Sequence, residues 1–135
     1  MLHCANSSFI SNYAKKGGAI YNDKGILVLE NCSFCSNTAY KHGGAIYNYY
    51  AIMLANECNF YSNIAKSKGG AIYNDFSYAS LINYDFSDNS ASDGIDIHNY
   101  QSSYDCKVFA DYQELKDNVF ILAYNHRKSK FNLFI

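Results

Sequence analysis

The sequence predicts an all-β fold, a right-handed parallel β-helix of about four coils closed by a small irregular C-terminal cap. Three observations predict it. Gly-Gly-Ala-Ile-Tyr-Asn returns verbatim at residues 17–22, 43–48 and 69–74; a Phe-x-x-Asn-x-Ala motif precedes each copy; and the chain has 16 Asn, 15 Ser and 14 Tyr but no Pro and no Trp. That composition favours turns and strands over helices. An antiparallel sandwich built of hairpins reverses the chain every ~8–12 residues and has no reason to return the same residue at a fixed offset. One coil per repeat does, because identical residues then stack at the interstrand spacing of ~4.8 Å.

Each repeat holds three short strand-like pieces. The first reads apolar-x-apolar-x-Asn: Leu2, Cys4, Asn6; Leu27, Leu29, Asn31; Ile52, Leu54, Asn56; and Ala79, Leu81, Asn83, with Glu57 as a one-residue insertion in the third copy. Its period of two is that of a strand with one buried face. The second piece centres on Phe9, Phe34, Phe60 and Phe86, which form an inner column. Asn12, Asn37, Asn63 and Asn89 follow where strand gives way to turn, a place where Asn tolerates the left-handed conformation and stacked amides bond to one another. Ala14, Ala39, Ala65 and Ala91 suit a tight inner corner.

The third piece is the glycine motif. Gly17, Gly43, Gly69 and the decayed Gly94 serve a corner where φ is positive or a Cβ would strike the next coil. Ile20, Ile46, Ile72 and Ile97 make a second inner column. Coils therefore lie near residues 2–22, 27–48, 52–74 and 79–99. Residues 100–135 leave the repeat as the cap or tail, with a turn or two of helix at 111–117 and a strand at 119–124.

The 135 residues carry 11 basic and 12 acidic side chains, which suits one domain and excludes a strongly basic nucleic-acid binder. Leu, Ile, Val and Phe total 32, enough for a core. No apolar run approaches the ~20 residues of a membrane-spanning helix, and no signal peptide is read at the start of the chain. Five Cys cannot all pair internally. Cys32 and Cys58 fall on adjacent coils within disulfide reach, their redox state left open, and Cys4 reads as a small core residue. Cys32-x-x-Cys35 lacks a second pair or a His cluster, so no metal site is expected.

Asp85, Asp88, Asp93 and Asp96 crowd the last repeat but miss the pattern of a calcium loop. Their counterparts in earlier coils are Ser or Asn: Ser8, Ser33 and Asn59 for Asp85, and Ser11, Ser36 and Ser62 for Asp88. With no carboxylate column, no catalytic residue and no cofactor are assigned. Lys15, Lys16, Lys41, His42, Lys66 and Lys68 precede the Gly pairs and stack into a basic stripe. Tyr21, Tyr47, Tyr73 and His98 form the neighbouring ladder. The stripe is either a solvated corner or, with the tyrosines facing outward, a contact line for an anionic glycan.

Residues 9–20, 34–46 and 60–72, each carrying FxxN and then GGAI, resemble the repeat of the chlamydial polymorphic outer-membrane proteins and related adhesin-like proteins of gut archaea and other microbes. The resemblance covers residues 2–99. It implies a right-handed parallel β-helix at the cell surface or outside the cell, a non-catalytic adhesin binding host or matrix glycans or proteins. A carbohydrate-active β-helix enzyme, a polysaccharide lyase or glycosidase, is the alternative. Family members carry leaders and anchoring domains, so the chain reads as a fragment of a longer surface protein with further coils in its parent.

Overall fold

Constant offsets in the sequence become hydrogen-bonded ladders in space. The computed structural model describes residues 1–104, which form an all-β parallel solenoid of about four turns. Among them there is no helix long and apolar enough to cross a membrane. The cap expected at residues 111–117 and 119–124 lies outside the described residues.

The first coil contains β1 (Leu2–Ala5), β2 (Ser8–Ile10), β3 (Tyr13–Lys16) and β4 (Ile20–Asp23). The second repeats it as β5 (Ile26–Glu30), β6 (Ser33–Cys35), β7 (Thr38–His42) and β8 (Ile46–Tyr49). In the third, β9 (Ile52–Tyr61) runs through the first corner unbroken and is followed by β10 (Ile64–Ala65) and β11 (Ile72–Asp75). The fourth has β12 (Tyr78–Ser87) and β13 (Ile97–Tyr100), and β14 (Ser103–Tyr104) resumes the ladder beside β12. Three parallel sheets result: β1-β5-β9-β12-β14, with β2 and β6 off this path (β2 pairing β6, and β6 pairing β9), β3-β7-β10, and β4-β8-β11-β13.

Phe9, Phe34, Phe60 and Phe86 lie in one register row, with ring centroids 4.7, 4.9 and 5.1 Å apart. These spacings follow the strand separation, so each ring covers the next and the column is dry. Ile20, Ile46, Ile72 and Ile97 form the facing row. Leu27, Leu29, Phe34, Ile46, Met53, Phe60 and Ile72 are fully buried between them.

Two expectations are corrected. The left-handed residue at the second corner is not the motif Asn but its predecessor: Ser11, Ser36, Ser62 and Asp88 have φ of 56°, 55°, 57° and 55°. This frees the Asn side chain to point inward, where it bridges coils. The first strand of the third coil is also shifted by one residue. Leu27 pairs with Met53 and Leu29 with Ala55, so Ile52 and Leu54 face outward. Glu57 is then no insertion; it occupies the left-handed corner held elsewhere by Asn6, Asn31 and Asn83, with φ near 50° in all four. Cys4 accordingly shares its row with Leu29, Ala55 and Leu81.

The glycine pair divides its labour. Gly17, Gly43, Gly69 and Gly94 have φ of 61° to 68°. At the second position, a Cβ on Gly18 would strike the Gly44 carbonyl, and one on Gly44 would strike the Gly70 carbonyl of the next coil. Ile95 replaces this glycine in the fourth coil, where it is exposed and no further described coil lies beyond.

Candidate binding face

The outer side of the β3-β7-β10 sheet is built from residues flanking the motif Ala. Ala14, Ala39 and Ala65 pair in register and turn inward, so their neighbours turn out. One outward row is Tyr13, Thr38 and Ile64. Beyond it the β3-β7 register slips, so that Lys15 stands opposite both Tyr40 and Lys41, while the Lys66 N–H donates to the Ala39 carbonyl beside Tyr40. Tyr13 and Tyr40 are 69% and 58% exposed, and the Lys66 ammonium lies 5.7 Å from the centre of the Tyr40 ring. Lys66 thus lies beside the Tyr40 ring in the next coil, and Lys15 lies one coil away on the other side, across the bulge that sets it opposite Tyr40 and Lys41.

The corner beyond this sheet is different in kind. Lys16, His42, Lys68 and Asp93 share one row. They fold over a stack of Tyr21, Tyr47, Tyr73 and His98, whose ring centroids are 5.0, 5.1 and 5.1 Å apart. The His42 ring lies 4.6 Å from that of Tyr73, and the Lys16 ammonium sits 4.8 Å above Tyr47. Tyr47 is only 1% exposed and donates its hydroxyl proton to Asp75 at 2.5 Å. Asp93 pairs with Lys68 at 4.0 Å and with His98 at 3.5 Å.

Burial holds the His42 imidazole below its ordinary pKa, helped by the positive charges of Lys41, Lys16 and Lys68 and by His98. Its Nδ1 is buried with no hydrogen-bond partner. Burial, and then the bond to Asp75, push the Tyr47 phenol well above its usual range.

The nine residues singled out in the sequence thus separate. Lys15, Lys41 and Lys66 are exposed, and Tyr21 is half exposed at the end of the stack. Tyr47 and Tyr73 are covered, with Lys16 over Tyr47 and His42 stacked on both, while Lys68 turns to Asp93. Tyr13, Tyr40 and Ile64 were not singled out, although the small inward Ala between them carries the signal.

The four aspartates have separate surroundings. Asp85 is exposed beside Asn59, Asp88 occupies a corner, Asp93 belongs to the lysine row, and Asp96 accepts from the Asn89 amide at 3.0 Å. No group of three metal-ligating side chains occurs among the described residues. Cys32 and Cys58 are buried free thiols, and burial pushes the Cys58 thiol up to about 11. A cavity of about 250 Å³ lies at the first corner. Its Asn31 amide bonds to Asn6 at 2.8 Å and its Ser33 hydroxyl to Ser8 at 2.9 Å, so these polar groups satisfy one another.

A family model for the Chlamydia polymorphic membrane protein repeat matches residues 6–23, 31–49 and 57–75. Three segments of the chain thus match the repeat of that family. No curated protein and no solved structure matches the chain. The three matched segments start at Asn6, Asn31 and Glu57, the same left-handed corner each time, and end on the register row of Asp23, Tyr49 and Asp75. One matched unit therefore equals one coil less the strand that opens it, β1, β5 or the first half of β9. The family is associated with the outer membrane or cell surface.

Proposed function

We propose that this chain is a non-catalytic, adhesin-like module of the cell surface or extracellular space that binds an anionic glycan across the outer face of β3-β7-β10. The observation that supports it is the exposed Tyr40 with the Lys66 ammonium 5.7 Å from its ring centre, near the exposed Tyr13 and Lys15 of the neighbouring strand. Every other conspicuous repeat residue, the Phe, Asn, Gly and Ile ladders included, is spent on holding coils together. An aromatic plate stacks on the apolar face of a sugar ring while flanking ammonium groups meet sulfate or carboxylate. Lys41 extends the charge at the corner, and Lys16, His42 and Lys68 shape it. Host surface proteins are the competing partner class.

Binding is favoured over carbohydrate cleavage because a glycosidase needs two carboxyl groups flanking one bond, ~5–9.5 Å apart. Asp85, Asp88, Asp93 and Asp96 occupy different rows with different partners. The test is calorimetric titration with a sulfated glycosaminoglycan, paired with an assay for chain cleavage. Tyr40→Ala with Tyr13→Ala should weaken binding at least tenfold without any cleavage in parent or variant. Turnover lost in Asp88→Asn would establish the enzyme reading instead.

A further inference from the structure

Cys32 and Cys58 stand in one register row. Ser33 pairs with Asn59 and Phe34 with Phe60, so the cysteines that precede them face each other across one coil, and the Asn59 N–H closes the ladder on the Cys32 carbonyl at 3.0 Å. Both side chains turn inward, on the same side as the phenylalanine column two residues on, and both are buried. Ser7 and Tyr84 occupy this row in the first and fourth coils, so it brings together these two sulfurs and no others. The remaining described cysteines are placed elsewhere. Cys4 shares its row with Leu29. Cys35 lies three residues on from Cys32 and so on the opposite, outer side of the strand, beside the Ser36 hydroxyl at 3.3 Å, which keeps the two members of Cys32-x-x-Cys35 apart.

We infer that Cys32 and Cys58 form a disulfide that staples the second coil to the third when the chain folds under oxidising conditions. Residues paired across neighbouring strands have Cα atoms ~4.8 Å apart, inside the ~4.4–6.8 Å that a disulfide spans. The Phe34 and Phe60 rings, 4.9 Å apart, keep that spacing two residues on. Neither thiol has a strong bond to lose: Cys32 donates to the Cys4 and Glu30 carbonyls and Cys58 to the Asn56 carbonyl, all at 3.4 Å, and S–H is a weak donor. In the step each thiol gives up one proton and one electron, the two sulfurs bond, and the two electrons and two protons reduce the disulfide of a small-molecule or protein oxidant to its two thiols. Burial holds the Cys58 thiol at about 11 once the coils have closed, so attacking thiolate is then scarce. The bond therefore forms while the coils dock and is afterwards shielded from reductant. An oxidising setting in the organism rests on the surface location proposed above; the pairing itself rests on the register alone.

The test takes the full chain, reduced and unfolded, and refolds it in a mixture of reduced and oxidised glutathione. Remaining thiols are blocked with iodoacetamide in denaturant, and chymotrypsin, which cuts after Phe34, separates Cys32 from Cys35 before the masses are read. A peptide linking Cys32 to Cys58 should appear, two hydrogens lighter than its parts, with Cys4 and Cys35 alkylated. The linked chain should melt at least about 5 °C above the same chain refolded in reductant, and this difference should vanish in Cys58→Ala and in Cys32→Ala. Alkylation of both Cys32 and Cys58 in the refolded parent overturns the inference, whatever the variants do. So does a linked peptide that joins either of them to Cys4, Cys35 or Cys106, or a linked chain that melts no higher than the reduced one. No glycan enters the experiment, so its failure leaves the binding proposal standing, and loss of glycan binding leaves the disulfide standing.

Discussion

The Asn63 side-chain oxygen accepts two hydrogen bonds from Asn37, one from its backbone N–H and one from its carboxamide, both 3.0 Å. The second proton of the Asn37 amide goes back to the Phe9 carbonyl at 2.9 Å. Asn12 donates to Asn37 in the same way, and Asn63 to Asn89. At Asn12, Asn37 and Asn63 the next coil's carboxamide thereby repairs the backbone bond that the corner would otherwise leave open, and at Asn37 and Asn63 it does so in the buried interior.

Removing one rung should be costly. Asn63→Ala leaves two buried Asn37 donors without an acceptor, a loss of about 2–4 kcal/mol. Urea denaturation of parent and variant measures it, and a change below about 0.5 kcal/mol would mean that water takes over the rung.

The corner register makes an opposite prediction for Glu57. It adopts φ 54° where the other three coils have Asn. Asn tolerates this conformation better than Glu, so Glu57→Asn should stabilise by about 0.5–1 kcal/mol. Thermal unfolding should show a higher melting temperature; a lower one would restore the view of Glu57 as an inserted residue.

Glycine positions differ in what they tolerate. A Cβ on Gly44 meets only backbone, the Gly70 carbonyl and Ile64, which cannot swing aside. Gly44→Ala should cost more than about 4 kcal/mol, whereas Ile95→Ala at the equivalent exposed position of coil four should stay within about 0.5 kcal/mol. Circular dichroism and urea titration of the two variants give the comparison.

His42 predicts a pH dependence. Its folded pKa lies below the ordinary value near 6.5, so the unfolded chain binds the proton more readily. Stability is complete above pH ~6.5 and falls as the pH drops below that value, because the proton must enter beside Lys41, Lys16, Lys68 and His98. Replacing the ring by a permanently neutral one, His42→Phe, should flatten the melting temperature between pH 7 and 5. An unchanged slope would place the effect elsewhere.

The ladders were legible because a solenoid converts sequence period directly into contact: Phe34 above Phe60 and Gly43 above Gly69 needed only subtraction. The third-coil register was not, because Ile52, Met53, Leu54 and Ala55 are all apolar and alternation cannot choose a face when both sides are buried. Asn12 and its counterparts were placed at the right corner but given the conformation of the preceding Ser, since both residue types accept a turn. The lysines were visible as a stripe. What separated Lys15 and Lys66 from Lys16 and Lys68 was strand parity across a bulge between Ala14 and Lys16, which a motif alignment passes over.

The claim that the β3-β7-β10 face carries binding is tested most directly by retention on immobilised heparin in a rising salt gradient, comparing the parent with Lys15→Glu combined with Lys66→Glu. Both side chains are exposed, so the fold and its melting temperature should be unchanged. The parent should be held at low salt and released as the screening length falls toward ~8 Å at physiological ionic strength, and the double variant should pass through unretained. A parent that is not retained, or a double variant retained as strongly as the parent, would contradict the account.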